Sequence, residues 1–343
     1  MRLTPLLPIL AVVTSVLAVP PALAEGDGPL PLWHAGIEQG YQQLAEATAD
    51  LETSARRYCQ TPSDSARSRL DDQWRTAFDA WQAVRFVDFG PVEQNTLGWQ
   101  FQFWPDPKNL VARKAGYYLG MEEPVSAADV DEAGVAVQGF PMVEYLLFDS
   151  RIKEGDRGLP SDQACSLLTA VSAHLAENAE GLSSAWTTLE RPYRTNEQYR
   201  GATVESGMAA LSLLEERRLG GPMGLRGGGK RSVYGADAWR SGHSLAAIRA
   251  SLQGLYDFYL PGLESALRQA GNPTLASRIR SQFEETLARF DNLPDAMAPL
   301  LSDERFGELQ GLYADLSQLA TLVNDQAGTA LDVVRGFNSS DGD

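Results

Sequence analysis

Apolar residues recur at every third or fourth position through most of the chain after residue 30. This spacing puts them on one face of an α-helix, whereas strands need alternation, which is found nowhere at comparable length. The sequence therefore predicts an all-α protein built from amphipathic helices. Three clear apolar stripes are Leu168, Val171, Leu175, Ala179, Leu182, Trp186 and Leu189; Leu245, Ile248, Leu252, Leu255, Tyr259 and Leu263; and Leu309, Leu312, Leu316, Leu319 and Val323.

The apolar pattern and its interruptions predict two sets of helices. A break near Arg191 and Pro192 separates them, which predicts two tandem helical bundles of about four helices each, at 25–192 and 193–343. Segment 87–112, rich in Pro, Gly and Trp, predicts an irregular aromatic connection. The expected helices are 33–59, 63–86, 126–149 and 160–190 in the first set, and 196–218, 235–270, 273–292 and 302–333 in the second.

The N-terminus has the pattern of a secretory signal peptide. Arg2 is followed by an apolar run from Leu6 to Val19 and by the small-x-small sequence Ala22-Leu23-Ala24. The apolar run is too short to remain as a membrane anchor. We therefore expect residues 1–24 to be removed by cleavage after Ala24 and the mature protein to be periplasmic.

Two cysteines, Cys59 and Cys165, are far apart in sequence and belong to no metal-binding or redox motif. In an oxidising compartment the default expectation for such a pair is one disulfide bond. The alternative is two unrelated buried thiols, and the residues alone leave both readings open.

The formal net charge of −16 argues against some classes of partner. A strongly negative field disfavours binding to nucleic acids and to anionic lipids, and weakly favours cations or basic partners. Beyond the N-terminal run, no stretch is long and apolar enough to predict a membrane span.

Glu144 is the only charged residue in the apolar stretch Ala133–Phe148. A helix that is apolar nearly all round is buried, and a buried carboxylate must be paired, bound to metal or protonated. Pro141 in the same stretch predicts a kink. We interpret Glu144 as a candidate binding residue and possible metal ligand; a purely structural ion pair is the alternative.

Arg85 extends an aromatic stripe that includes Trp81 on the helix expected at 63–86. A guanidinium in this position could stack on Trp81 and bind a carboxylate, and Glu144 is the hypothesised partner. In the alternative reading, the Arg85 side chain extends to solvent.

Histidine patterns give only weak indications of a metal site. His243 lies near Trp239 and Ser241 and is the better candidate for a pocket, although a role in helix capping or packing is favoured over metal ligation. His174 and Glu177 are one helical turn apart, and we expect a solvated pair there. The glycine-rich run at 224–231 lacks the final Ser or Thr and the preceding strand of a phosphate-binding loop.

Several motifs in order resemble the imelysin-like family. They are Trp81–Pro91 (W-x-x-x-R…GP), Gln138–Phe148 (the region of the family's G-x-H-x-x-E motif), Arg218–Gly224 and Trp239–Leu245. Gly139 and Glu144 hold the Gly and Glu positions of that motif, but Pro141 stands in place of its His, as in a subgroup with G-F-P. Proline can neither ligate a metal nor transfer a proton.

The resemblance implies a fold of two helical bundles and one of three functions. The leading expectation is a non-enzymatic binding protein of iron uptake, with a polar pocket at the bundle junction lined by Glu144, Arg85 and Trp81, and with Asp88, Ser241 and His243 nearby. Its ligand would be an iron species, a haem-like molecule or a partner protein, and iron or another divalent metal is a possible cofactor. The alternatives are a metal-dependent peptidase of the imelysin type, which the loss of the motif His argues against, and a protein–protein interaction module.

Overall fold

The computed structural model describes residues 28–153, 156–226 and 228–333. Over these ranges all regular secondary structure is helical, which confirms the predicted all-α class. No helix in the described part of the chain is long and apolar enough to cross a membrane. The predicted signal peptide at residues 1–24 lies outside the described residues.

Three long helices organise the first half of the chain: α1 (Pro29–Gln60), α2 (Asp64–Val84) and α9 (Asp162–Thr188). Helix α1 packs along both α2 and α9. The Ser63 hydroxyl caps α2 by accepting a hydrogen bond from the backbone N–H of Ala66 at 3.2 Å. The predicted boundaries of these helices agree with the structure to within a few residues.

Short helical segments fill the chain between α2 and α9. They are a 3₁₀ helix (Gly90–Thr96), α3 (Leu97–Phe101), α4 (Leu110–Tyr118), α5 (Ala127–Asp131), α6 (Val135–Gln138), α7 (Phe140–Phe148) and α8 (Ser150–Lys153). The prediction of one continuous helix at 126–149 is therefore wrong. Nor does Pro141 kink a helix: it occupies the first turn of α7, where its missing N–H is not needed.

The second half contains α10 (Glu190–Thr195), α11 (Gln198–Ser212), α12 (Ser244–Gly254), α13 (Leu260–Gln269), α14 (Pro273–Arg289), α15 (Phe306–Ala320) and α16 (Gly328–Ala330). Three π-helical segments, Leu213–Leu219, Leu255–Tyr259 and Thr321–Ala327, continue α11, α12 and α15. Short 3₁₀ helices occur at Val233–Gly235, Phe290–Asn292 and Ala298–Leu301.

The helix predicted at 235–270 begins later than expected. Residues Ala238 and Gly242 have positive φ angles of 48° and 67°, which a right-handed helix does not allow. Helix α12 therefore starts only at Ser244, with His243 as its N-cap residue. The chain from 236 to 243 forms an irregular segment that contributes to the site described below.

The two halves of the chain pack closely together. Helix α1 contacts α13 and the π-helical segment Leu255–Tyr259, and α2 packs against α12. Gly254 allows the close approach of α12 to α2, because a β-carbon there would collide with the backbone of Ala83. A division into two bundles at residue 192 remains a prediction.

A disulfide bond joins Cys59, near the end of α1, to Cys165, near the start of α9. Their Cα atoms are 5.6 Å apart, which is a normal separation for a disulfide. The predicted pairing is confirmed, and the alternative of two free thiols is excluded.

Candidate functional site

A cleft of about 950 Å³ lies between α2, α7, the loop at 102–109 and the irregular segment at 232–240. We call it the junction cleft, because its walls come from both halves of the chain. Its aromatic lining includes Trp74, Phe103, Trp104, Tyr234 and Trp239. Its volume lies in the range of pockets that bind organic ligands.

Glu144 projects from α7 into the lining of the junction cleft and is only 4% exposed. Its Oε1 atom accepts hydrogen bonds from the backbone N–H and the hydroxyl of Ser241, both at 2.9 Å. Burial raises the pKa of Glu144 above its usual value, against the opposing effects of the Ser241 hydrogen bonds and the nearby Arg240 charge. Glu144 is thus a buried carboxyl group with donors at one oxygen, and none of the described residues forms an ion pair with it.

Asp149, at the end of α7, forms the second charged group of the junction cleft. It accepts hydrogen bonds from Arg240 Nε at 2.9 Å and from Arg151 Nη2 at 2.7 Å. Burial alone would raise the pKa of Asp149, but the hydrogen bonds from Arg151 and Arg240 lower it to about 2. The Arg240 guanidinium also lies 4.4 Å from the centre of the Trp239 ring. The cleft therefore contains fixed charges of both signs beside aromatic surfaces.

Behind the cleft lies a buried charge cluster of Arg85, Arg218 and Asp237. Asp237 Oδ2 is 2.9 Å from Arg218 Nη2 and 3.7 Å from Arg85 Nη1. The same oxygen accepts a hydrogen bond from the side-chain amide of Gln102 at 3.2 Å. One carboxylate is thus shared by two guanidinium groups. The Asp237 and Arg218 side chains are 2% and 1% exposed.

A second cavity, of about 740 Å³, lies on the other side of this cluster. Gln102, Trp104 and Pro105 line both cavities and separate them. Arg85 and Arg218 line the second cavity, whereas Asp237 lines the junction cleft. The Arg85 guanidinium lies 5.6 Å from the centre of the Trp104 ring.

The structure distributes the predicted site residues over both cavities. Glu144 and Pro141 line the junction cleft, and Trp81, Arg85 and Asp88 line the second cavity. The hypothesised Arg85–Glu144 pair is not formed, because Arg85 pairs with Asp237 and Glu144 binds Ser241.

Ser241 and His243 lie behind the junction cleft. Ser241 holds Glu144, while His243 Nε2 lies 2.8 Å from Asp79 Oδ1 on α2. His243 is buried at the N-cap position of α12, and its side chain makes no capping hydrogen bond. Its contact with Asp79 joins α12 to α2 and so helps to support the wall of the cleft.

His174 does not form the solvated pair with Glu177 that its spacing predicted. It is buried, with Nδ1 2.7 Å from Asp131 Oδ1 and Nε2 3.1 Å from Gln100 Oε1. The interpretation was wrong because α3 and α5, both short, cover this face of α9.

The described residues do not fit a directly coordinated metal centre. Within residues 28–153, 156–226 and 228–333, no three His, Cys, Asp or Glu side chains are grouped so that they could hold a metal ion. Pro141 has no ligating side-chain atom, and Oε1 of Glu144 already accepts two hydrogen bonds. A metal reaching this cleft would have to bring most of its ligands with it.

Sequence reasoning missed several residues of the site, namely Gln102, Asp149, Arg218, Asp237 and Arg240. Arg218 and Arg240 lie within the motifs Arg218–Gly224 and Trp239–Leu245, which do not indicate a partner for either side chain. Asp237 fell inside a stretch expected to be helical, where a single acid suggests a solvated face. Of its two arginine partners, Arg85 lies far away in sequence and Arg218 belongs to a different helical segment, so no local pattern indicates the cluster.

The chain is similar to proteins of one known family. A family model described as imelysin matches residues 37–323. The fold is similar to the crystal structure of an imelysin-like protein from Psychrobacter arcticum 273-4, with a TM-score of 0.78 and 21% identity over 90% of this chain and 96% of that one. It is also similar to a protein from Parabacteroides distasonis ATCC 8503 that is provisionally named an iron-regulated protein A precursor, with a TM-score of 0.65 and 15% identity over 87% and 96% of the two chains. No curated protein sequence matches. Because the family model spans most of the chain, this protein belongs to the imelysin family.

Proposed function

We propose that this protein is a non-enzymatic periplasmic binding component of an iron-uptake system, and that its ligand binds in the junction cleft. Membership of the imelysin family supports this proposal, as does the fold shared with a protein provisionally named as iron-regulated. The ligand we propose is an iron-carrying organic molecule, such as a chelate or a haem-like compound, rather than a bare ion.

The observation that carries this choice of ligand is the lining of the junction cleft. A volume of about 950 Å³ is far larger than a bare ion needs and suits an organic molecule. The rings of Trp74, Trp104 and Trp239 provide flat apolar surfaces for such a molecule. The residues do not fit direct coordination of iron, so a ligand that already surrounds the metal with its own donor atoms suits this cleft better.

Polar groups of the cleft would orient the ligand. Arg240 and Arg151 would attract carboxylate or hydroxamate oxygens of a chelate, while Glu144 would accept from its hydroxyl or amide groups. Glu144 is well suited to this role because its Oε1 is held by Ser241, which fixes the side chain before the ligand arrives.

The proposal is tested by elemental analysis and a visible spectrum of the protein purified from the periplasm. Wild-type protein should carry iron or a haem band in stoichiometric amount, or take it up when haemin or ferric citrate is added. The Glu144→Ala variant should lose this binding. Glu264→Ala is the matched control, because Glu264 is an equally buried carboxylate that lines neither cavity and is paired with Arg280.

Three results would count against the proposal. If both wild type and Glu144→Ala remain free of iron and haem and do not respond to either probe, the cleft does not bind such ligands. A stoichiometric protein partner without any small ligand would favour the interaction module instead. Chelator-sensitive cleavage of a denatured protein substrate would favour the peptidase.

A further inference from the structure

The second cavity contains a positive charge that the protein itself does not balance. Arg85 and Arg218 line this cavity, and within the described part of the chain Asp237 is the one carboxylate paired with them. The charge cluster therefore has a net charge of about +1 in a region from which water is largely excluded. Uncompensated charges in such places are costly unless a counter-ion joins them.

Other charged residues at this cavity do not cancel the excess, because they lie at its exposed edge. Glu93 and Arg217 are exposed to solvent, and Asp88 is also exposed, although partial burial raises the pKa of its carboxyl group. The Arg85 and Arg218 side chains are 16% and 1% exposed. Solvent screens charges at the edge much more strongly than charges in the interior. The inner surface of the cavity is therefore electropositive.

Hydrogen-bond donors of the same two arginines lack acceptors. Among the residues that the structure describes, Arg85 Nη1 and Arg218 Nε are buried without a hydrogen-bond partner, and Arg218 Nη2 contacts Asp237 Oδ2 at 2.9 Å without the geometry of a hydrogen bond. Buried arginine N–H groups nearly always have hydrogen-bond acceptors in native proteins. Arginine N–H groups without acceptors at the wall of a cavity therefore indicate that a ligand binds there. Burial and the Arg218 charge lower the pKa of Arg85 to about 10, against the opposing effect of Asp237. The charged form of Arg85 is therefore disfavoured in this cavity, and a bound anion would stabilise it.

The local backbone is also unusual around this cavity. Residues of two π-helical segments, Leu213–Leu219 and Leu255–Tyr259, form part of its wall, and Arg218 belongs to the first of them. Such interruptions of regular α-helix occur frequently at functional sites. This observation is independent of the charges and points to the same cavity.

We propose that the second cavity binds a small organic anion, a carboxylate with an apolar body, whose carboxylate accepts hydrogen bonds from Arg85. The planar fork of a guanidinium matches a carboxylate. The apolar body would contact the side chains of Trp81, Phe86, Leu214 and Leu255. This ligand is distinct from the one proposed for the junction cleft, and neither proposal depends on the other.

Isothermal titration calorimetry with 1-naphthoate, and with the uncharged analogue 1-naphthamide, tests this proposal. We expect naphthoate to bind with a Kd below about 1 mM and at least about tenfold more tightly than the amide, since a charge-assisted hydrogen bond contributes about that factor. In Arg85→Gln, naphthoate should lose about tenfold or more in affinity and the difference from the amide should disappear.

Two further variants make the test decisive. Ala209→Phe fills the cavity from α11 without changing any charge and should abolish naphthoate binding, even if Arg85→Gln fails to fold. Arg217→Gln removes an exposed cation at the edge and should cost less than about threefold, which separates a binding site from general attraction to positive charge. Equal affinity for acid and amide, binding that survives both Arg85→Gln and Ala209→Phe, or no binding at about 1 mM would overturn the proposal.

Discussion

At the scale of single residues, Asp237 is a buried carboxylate shared by two arginines. Its Oδ2 atom faces Arg218, Arg85 and Gln102, all of them buried or nearly so. Removing one partner of a buried ion pair leaves the other charge without compensation, which costs more than the pair itself contributes. The stability of this region should therefore depend on Asp237 far more than on any surface ion pair.

We predict that Asp237→Asn lowers the free energy of unfolding by about 3–5 kcal/mol, because two buried guanidiniums lose their carboxylate. Urea unfolding followed by circular dichroism measures the loss. Asp303→Asn is the control: Asp303 pairs with Arg231 at 2.6 Å but is 96% exposed, so its loss should cost less than about 1 kcal/mol. Similar losses of unfolding free energy in the two variants would show that groups other than Asp237 compensate the charges of Arg85 and Arg218.

Glu144 should make the stability of the protein depend on pH in a defined direction. Because burial raises its pKa in the folded state, the folded protein binds this proton more tightly than the unfolded chain does. Its contribution to stability is therefore fully present below the usual glutamate pKa and is lost as pH rises through the folded-state pKa. Glu144→Gln removes this dependence and should be more stable than wild type at pH 8, because the amide carries no buried charge.

The measurement is a pair of thermal melts at pH 8 and near pH 5, where the advantage of Glu144→Gln should shrink. Glu264→Gln provides a control of opposite sign. Glu264 is equally buried but paired with Arg280 at 2.6 Å, so its amide variant should be less stable than wild type at pH 8. If Glu144→Gln were less stable than wild type at pH 8, the ionised carboxylate of Glu144 would stabilise the folded state, contrary to this prediction.

The burial of Glu144 could be predicted because it is a single charge in an otherwise apolar stretch, which is a local property of the sequence. Its partner could not be predicted: Ser241 is uncharged and almost a hundred residues away, and it reaches Glu144 through a loop. The same holds for Arg85, whose carboxylate is Asp237 rather than Glu144. Local patterns indicate which side chains need partners, but the fold determines which partners they meet.

At the scale of secondary structure, Gly139 is the extended residue that separates α6 from α7. It precedes α7, and a β-carbon at this position would lie only 2.5 Å from the carbonyl oxygen of Gln100. The C-terminal end of α3 thus packs directly against the backbone at residue 139. This close approach places the loop at 102–109 beside α7 and so forms one edge of the junction cleft. The Gly of the family-like motif therefore has a packing role here.

We predict that Gly139→Ala destabilises the protein by about 2–3 kcal/mol, since backbone atoms of α3 cannot move aside as a flexible side chain would. Gly134→Ala is the matched control, because a β-carbon there meets nothing within 4 Å and φ is −74°. That variant should be neutral or gain up to about 1 kcal/mol through the unfolded state. Chemical denaturation of both variants measures the change in the free energy of unfolding. Equal changes would show that the backbone of α3 can move to accommodate the added methyl group.

The long helices could be predicted because one apolar stripe repeated over many turns is a strong and local pattern. This holds for α1, α2 and α9, where the structure agrees closely. The pattern failed at 126–149, where Gly139 is extended between α6 and α7, and at 235–243, where positive φ angles at Ala238 and Gly242 exclude a right-handed helix. These constraints arise from tertiary packing, and both failures lie at the walls of the junction cleft.

At the scale of the whole molecule, α1 is the element that connects the fold. It packs on α2 and α9 in the first half of the chain and on α13 in the second. Its side chains Trp33 and Tyr41 are buried, and Trp33 Nε1 donates a hydrogen bond to the carbonyl of Tyr259 at 2.7 Å. The relative placement of the two halves, and with it the shape of both cavities, therefore depends on holding α1 in position.

The disulfide between Cys59 and Cys165 supports that placement at one end of α1. It closes a loop with a sequence separation of 106, so it restricts the unfolded chain strongly. We predict that a double Cys59→Ser, Cys165→Ser variant keeps the helical circular dichroism spectrum, since the packing of α1 on α9 remains. Its free energy of unfolding should fall by about 3–5 kcal/mol.

Urea unfolding of wild type in a reducing buffer is the matched comparison and should give the same loss as the double variant. The variant itself should be insensitive to reductant, because the described chain has no other cysteine. If neither the double substitution nor the reductant lowered the unfolding midpoint, the unfolded chain would already hold the ends of α1 and α9 close together. The stability of the bundle would then come from helix packing alone.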